Sequence, residues 1–344
     1  MEYKKVIVDG YGGDNSPDEV VKGVKLALDS VKDLKVVITG KKDELEKLAS
    51  ECGIALENDR FEIVDAPDVI TNDESPTVAI KTKKDSSLVR AFDLLKADEN
   101  AVGLVSAGST GAVLTGGFLK IGRIKGVSRP VLAPVIPTAK GTPVILTDSG
   151  ANMDCKPINL LHFAIMASKY AEFMFGNKNP RVALLSVGTE DHKGNELVHK
   201  TFPHMKEIPV NFVGNMEARD MLTGNYDVVV TDGFAGNVAL KSCEGTLEML
   251  LGILKDDIKS HAMSKLGYIF MKGTFKRLKS KFDYNKQGGS PFLGINKIVV
   301  KCHGSSKAES FCNTIKQAFE LGQSDMINQI AESMKNLDIK IEEE

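Results

Sequence analysis

The chain has 344 residues, enough for one large or two ordinary domains, with 42% hydrophobic and 26% charged residues. A net charge of −2, no tryptophan and 6% aromatics argue against nucleic acid as a partner, because neither a basic field nor a base-stacking platform is on offer. Five cysteines without a CxxC pair read as reduced, cytosolic thiols; the N-terminal residues lack the apolar core of a signal peptide; and no apolar run reaches the roughly 18 residues of a membrane span.

Short β-branched runs alternate with longer amphipathic stretches. In chain order the predicted strands are Lys5–Val8, Val36–Thr39, Phe61–Val64, Val102–Val105, Val131–Ile136, Val144–Thr147, Val182–Val187, Val210–Val213, Asp227–Thr231 and Ile298–Val300. Several are apolar on both faces, as parallel strands covered by helices are. Helix starts carry their own signals: Ser16 as an N-cap before Pro17 with Glu19 closing a capping box, and Ser75 before Pro76. Apolar residues at 88, 91, 92 and 95 share one helical face. The pattern predicts a single catalytic domain over residues 1–344, a three-layer α/β/α fold with a large, mainly parallel sheet.

Residues 246–282 break the alternation. Leu247, Leu250, Leu251, Leu254 and Ile258 form one helical stripe, and Ile269, Phe270, Leu278 and Phe282 a looser second one. Between Ile253 and Lys281 eight Lys/Arg face two Asp. This predicts an inserted helical hairpin, with apolar Leu266–Met271 near its turn. A basic hairpin with Tyr268, Ile269 and Phe270 at its tip suits an anionic bilayer, and Lys272, Lys276 and Arg277 suit an acidic carrier; packing in a dimer interface is the plainer reading. The acidic end Glu342-Glu-Glu344 reads as a solvated tail.

The chemistry is expected where strands run into small residues, since ligands of open α/β sheets bind beyond the strands' carboxyl ends. Asp9-Gly-Tyr-Gly-Gly-Asp14 invites a dinucleotide reading, but Asn15 stands where the third glycine belongs. What remains is an anion-wrapping turn of Gly12, Gly13 and Asp14, or a plain strand-to-helix turn. Ser106–Ala112 offers Ser109, Thr110 and Gly111 at a helix start, a phosphate cradle or an ordinary cap. No GxSxG elbow and no P-loop occurs. Asn152 ends Asp148-Ser-Gly-Ala-Asn, and Gly188–Asn195 gathers Lys193 and Asn195. Asp232, Asn237 and Lys241 set a carboxylate, an amide and an ammonium along one loop and helix face. His303, after the last strand, is placed to move a proton near neutral pH. No histidine or cysteine spacing matches a zinc site, and no metal is expected.

Taken in order, these motifs resemble the bacterial acyl-acyl carrier protein:phosphate acyltransferase (PlsX) family. The likeness rests on Gly12-Gly-Asp14, Lys83–Ser87, Ser106–Ala112, Gly122–Val127 with Arg129-Pro130, Gly150-Ala-Asn152, Lys193-Gly-Asn195, Asp232–Asn237, Leu240–Gly245, Gly288-Gly289, Leu293-Gly294 and His303–Ser306. The chain departs from the family at Gly10-Tyr11, where Ala-Met is usual, at Ser109, where Asn is usual, and at Gly188-Thr-Glu190, where a more acidic form is usual. The resemblance implies an isopropylmalate-dehydrogenase-like fold, a homodimer, and no cofactor. It implies conversion of acyl-acyl carrier protein plus phosphate to acyl phosphate plus free carrier, in phospholipid synthesis. It also implies a cytoplasmic protein held peripherally at the membrane, where a membrane acyltransferase consumes the product. A short-chain phosphotransacylase using acyl-coenzyme A is the alternative. On this reading Lys193, Lys241, Asn237, Asp232 and His303 serve catalysis. Gly12, Gly13, Asp14, Ser109, Thr110, Gly111, Asn152 and Asn195 hold phosphate or substrate.

Overall fold

The computed structural model describes residues 3–281, 288–335 and 337. Its strands are β1 (Lys4–Asp9), β2 (Leu34–Gly40), β3 (Phe61–Asp65), β4 (Ala101–Ser106), β5 (Val131–Leu132), β6 (Val135–Ile136), β7 (Val144–Thr147), β8 (Arg181–Ser186), β9 (Asn211–Glu217), β10 (Val228–Val230), β11 (Ser290–Leu293) and β12 (Ile298–Lys301). Its α-helices are α1 (Asp18–Ser30), α2 (Lys42–Glu51), α3 (Pro76–Thr82), α4 (Ser87–Ala97), α5 (Thr110–Gly116), α6 (Pro157–Phe175), α7 (Glu196–Met205), α8 (Gly233–Ser260), α9 (Ala262–Lys281), α10 (Ala308–Gln323) and α11 (Met326–Lys335).

The large, mostly parallel sheet is present, with order β3-β2-β1-β4-β12-β11-β5. Its first five strands run parallel, and β11 pairs antiparallel with both neighbours. A five-stranded sheet, β6-β7-β10-β8-β9, is parallel except at β6. Helices cover the strands so fully that Val6, Val8, Val36, Ile38, Leu104, Val105, Val228 and Val230 have no exposed surface. Each such side chain contributes about 1.5–3 kcal/mol relative to exposure.

The two sheets meet in the segment read from sequence as one strand, Val131–Ile136. Phe292 and Leu293 pair with its first half, and Val144 and Ile145 with its second. Ala133 N donates to Pro291 O (3.1 Å), and Pro134 O accepts from Leu146 N (3.1 Å). Pro134 has no N–H to continue a ladder, so one run becomes two short edge strands. Strand β11 was not expected from sequence: Pro291 and the flanking glycines disguise it as a loop.

Three further expectations change. Ser16 does not cap α1; its hydroxyl donates to Gly12 O, and Pro17, not Ser16, holds the N-cap position. Glu19 closes no capping box but accepts from Ala308 N (2.9 Å), capping α10 instead. The hairpin's first helix begins at Gly233, and its corner lies at His261. Leu266–Met271 therefore sits inside α9 rather than at the turn. Phe282 and Glu342–Glu344 lie outside the described residues. No described helix is long and apolar enough to cross a membrane.

Candidate active site

Strands β1, β4 and β12 are neighbours, so the loops at their carboxyl ends touch. Asp9, buried at the end of β1, accepts from Ser106 Oγ (2.7 Å), and Ser106 Oγ in turn accepts from Gly108 N (3.0 Å). Burial pushes the Asp9 carboxyl up, against the hydrogen bonds from Ser87, Ser106 and Tyr11. Asp14 N donates to Gly304 O (2.8 Å), and Asn15 Nδ2 to Ser305 O (3.1 Å). Gly13 has φ +100°, and a Cβ there would stand 2.8 Å from the Ala107 Cβ and 2.9 Å from Gly304 O. Gly12 and Gly13 thus let three loops pack backbone to backbone.

Across the seam, the second sheet offers the loop after β7 and the start of α8. Asp148 gathers N–H donors from Leu132, Ser149, Ala151 and Asn152. Asn152 Nδ2 donates to Asp148 Oδ2 (3.0 Å) and Pro130 O (2.8 Å), so its amide donor braces the loop. Asp232 caps α8 through Ala235 N (2.8 Å), Asn195 caps α7 through Val198 N (3.0 Å), and Ser109 caps α5 through Ala112 N (3.2 Å). A Cβ on Gly111 would press on Pro76 (2.8 Å).

Between these walls lies a cleft of about 250 Å³. Thr110, Ser149, Asn237, Lys241, Lys301 and His303 line it, with Gly288 and Gly289 on one side. Of the residues singled out from sequence, it gathers Thr110, Asn237, Lys241 and His303. Gly13 and Asp14 meet the His303 loop at Gly304, and Asn152, whose O accepts from Gly233 N (2.8 Å), ties the loop after β7 to the start of α8. Asp232 and Asn195 border a separate cavity, with half-buried Lys193 in the loop beside it. Among the described residues no three His, Cys, Asp or Glu side chains gather as a metal site.

Lys241 Nζ lies 2.7 Å from Glu244 Oε2 and 3.5 Å from His303 Nε2. His303 Nδ1 lies 2.9 Å from Ser305 Oγ. Loss of solvent around His303, then the charge of Lys241, lowers its pKa; Glu244 and Asp14 oppose this. Burial and the lysine's charge both favour the neutral ring over the imidazolium.

The sequence decides which family carries this arrangement. A family described as "Fatty acid synthesis protein" matches residues 4–329. The chain belongs to this family. It is 44% identical over 331 residues to "Phosphate acyltransferase" of Caldanaerobacter subterraneus subsp. tengcongensis, covering 96% of this chain and 97% of the relative. It is 43% identical over 334 residues to "Phosphate acyltransferase" of Clostridium tetani, covering 97% and 99%. Among solved structures, the EutD phosphotransacetylase of Staphylococcus aureus matches with a TM-score of 0.58 at 17% identity, covering 93% of this chain and 94% of that one. A branched-chain phosphotransacylase of Enterococcus faecalis matches with a TM-score of 0.57 at 15% identity, covering 93% and 99%. These two likenesses show the fold. The curated relatives make the chain an acyltransferase enzyme.

Two residues of this acyltransferase escaped sequence reasoning. Lys301 ends β12 with its ammonium drawn inward, donating to Cys302 O (2.8 Å). Burial, reinforced by Lys241, holds its pKa below the usual lysine range, while Cys302 and Asp14 oppose this. A lysine closing a strand ordinarily reads as a solvated end; only its place beside Gly289 and His303 marks it. Asp148 was quoted only as the start of a motif. Its position after a buried strand, four residues before Asn152, was the available signal.

Proposed function

We propose that this acyltransferase moves the acyl group of an acyl-acyl carrier protein thioester to inorganic phosphate. The products are acyl phosphate and free carrier, and the step belongs to phospholipid synthesis. Family membership supports the reaction type. The observation that carries the reading is the meeting of Lys241, Lys301 and His303 in one small cleft at the strand ends. Two ammonium groups suit a phosphate dianion, and a neutral imidazole beside them suits a proton that must move.

A phosphate oxygen attacks the thioester carbon. The C–O bond forms, the C–S bond breaks, and the electron pair leaves on sulfur. His303 takes the phosphate's remaining proton through Nε2 and returns it to the departing thiolate, so the thiol leaves neutral. Lys241 and Lys301 hold the phosphate. Thr110 and Asn237 donate to the oxyanion of the tetrahedral intermediate, where one such donor is worth about 2.7–4 kcal/mol. Gly12, Gly13, Asp14 and Gly111 frame the loops, Asn152 braces the loop after β7, and Ser109, Asp232 and Asn195 cap helix starts. Lys193 is not needed for this step. The balance requires neither metal nor organic cofactor.

The surroundings fit a cytoplasmic homodimer that touches the membrane peripherally and passes acyl phosphate to a membrane acyltransferase. Met263, Ile269 and Phe270 are 78%, 67% and 83% exposed on the hairpin, and Lys272, Lys276 and Arg277 flank them on α9.

The test is thiol release from acyl-acyl carrier protein, with the product trapped by hydroxylamine. Release that requires phosphate and yields acyl hydroxamate is expected. Release without phosphate sinks the reading. Faster turnover of short acyl-coenzyme A thioesters replaces it with the phosphotransacylase alternative.

A further inference from the structure

Beside the polar cleft lies a larger cavity of about 850 Å³, between the carboxyl end of β8 and the first five turns of α8. Leu185, Val187, Val198, Phe234, Val238 and Leu250 contribute to its walls. Val187 is 78% and Phe234 65% exposed, a concentration of bare apolar surface that isolated surface residues do not give. Leu222, Cys243 and Leu247 border both this cavity and the phosphate cleft. The two spaces therefore share a wall: α8 turns Asn237 and Lys241 to the cleft, Ala239 to the apolar cavity, and Cys243 and Leu247 to both.

From this continuity we infer that the apolar cavity is the binding site for the hydrocarbon tail of the acyl donor, with Leu222, Cys243 and Leu247 as the threshold that the chain crosses. The inference rests on the reaction proposed above and adds where the donor's tail lies. A thioester carbon set beside Lys241 and His303 must send its alkyl chain somewhere, and this is the adjoining space whose walls repay burial of methylenes. The charged side chains on its rim are Asp232 and Arg219; Arg219 is largely exposed and ion-paired with Glu217 (2.6 Å). Ala239 faces the cavity one helical turn before Cys243 and sets how much of the chain fits. A subunit interface is the rival occupant.

Ala239→Phe narrows the cavity at the threshold, and Val238→Trp fills it from a half-exposed position. Each variant is assayed with hexadecanoyl- and butanoyl-acyl carrier protein at saturating phosphate, alongside sedimentation of the wild type and both variants. The expected result is a fall in kcat/KM of at least about tenfold for the hexadecanoyl donor, with the butanoyl donor unchanged and the oligomeric state unaltered. Equal losses with both donors, or no loss with either, overturn the inference and leave phosphate acyl transfer standing. Dissociation of an oligomer in the variants also overturns it and assigns the cavity to a partner subunit. A wild type inactive towards both donors sinks the parent reaction and this inference together.

Discussion

Lys241 Nζ, on the helix that follows β10, stands 3.5 Å from Nε2 of His303, in the loop that follows β12. The strands that precede them belong to different sheets, and the two residues lie 62 positions apart. Their meeting joins the halves of the cleft, and the lysine's charge adds to burial in disfavouring the imidazolium.

Removing that charge raises the histidine's pKa. Lys241→Met is expected to move the His303 titration to higher pH, because a cation that disfavours the imidazolium is gone. The acid limb of the pH–rate profile moves the same way. NMR titration of the His303 ring checks this; an unmoved resonance separates the two groups electrically.

Lys301 is expected to matter through phosphate. Lys301→Met keeps the buried stem and removes the donor. It is expected to lower kcat/KM for phosphate by about tenfold or more, the cost of losing a charged hydrogen bond of about 1.5–3 kcal/mol. Turnover measured across phosphate concentrations decides, with circular dichroism confirming the fold. Near-normal turnover removes Lys301 from the site.

His162 predicts how the fold responds to acid. It is buried on α6, with Nδ1 accepting from Ser128 N (3.1 Å), and burial lowers its pKa from 6.5 to about 4. The folded pKa is depressed, so the unfolded chain binds the proton first. Stability is full above about pH 6.5 and falls as pH drops towards 4, by about 3 kcal/mol for a shift of that size. Urea midpoints at pH 7 and pH 4.5 measure the loss. His162→Gln, which keeps an acceptor but cannot titrate, should lose less between the two.

Gly236 is a steric prediction. A Cβ there would lie 1.8 Å from Asp148 O, on the loop that Asp148 organises. Gly236→Ala is expected to cost at least about 1–3 kcal/mol, as overpacking does, and to lower activity through the displaced loop. An unchanged urea midpoint contradicts that contact.

The hairpin prediction concerns lipid. Changing Ile269 and Phe270 to Asp is expected to abolish flotation with anionic vesicles while leaving turnover of soluble donors intact. Undiminished flotation takes these two residues out of the membrane contact.

Much of the fold was legible because parallel strands leave unbroken apolar runs: β7 matches its predicted bounds of Val144–Thr147. What was hidden depends on partners remote in sequence. Glu19 carries every local sign of a capping box, yet its partner is Ala308. Val131–Ile136 reads as one strand, and only the positions of Pro291 and Leu146 divide it. In the site, the residues that stood out at strand ends include three helix caps, because a short polar side chain after a strand is what a cap and a ligand both look like. Lys301 was passed over for the opposite reason: nothing local says that its ammonium turns inward.

The first sheet draws its strands from both ends of the chain, and the second draws its own from the middle. A polypeptide still on the ribosome can finish every strand of the second sheet and already own Thr110, Asn237 and Lys241, yet lack Lys301 and His303. Only when synthesis passes Lys301 and His303 does the older half acquire its counterpart. The second cation and the imidazole are thus the last parts of the cleft to be made, and their arrival completes it.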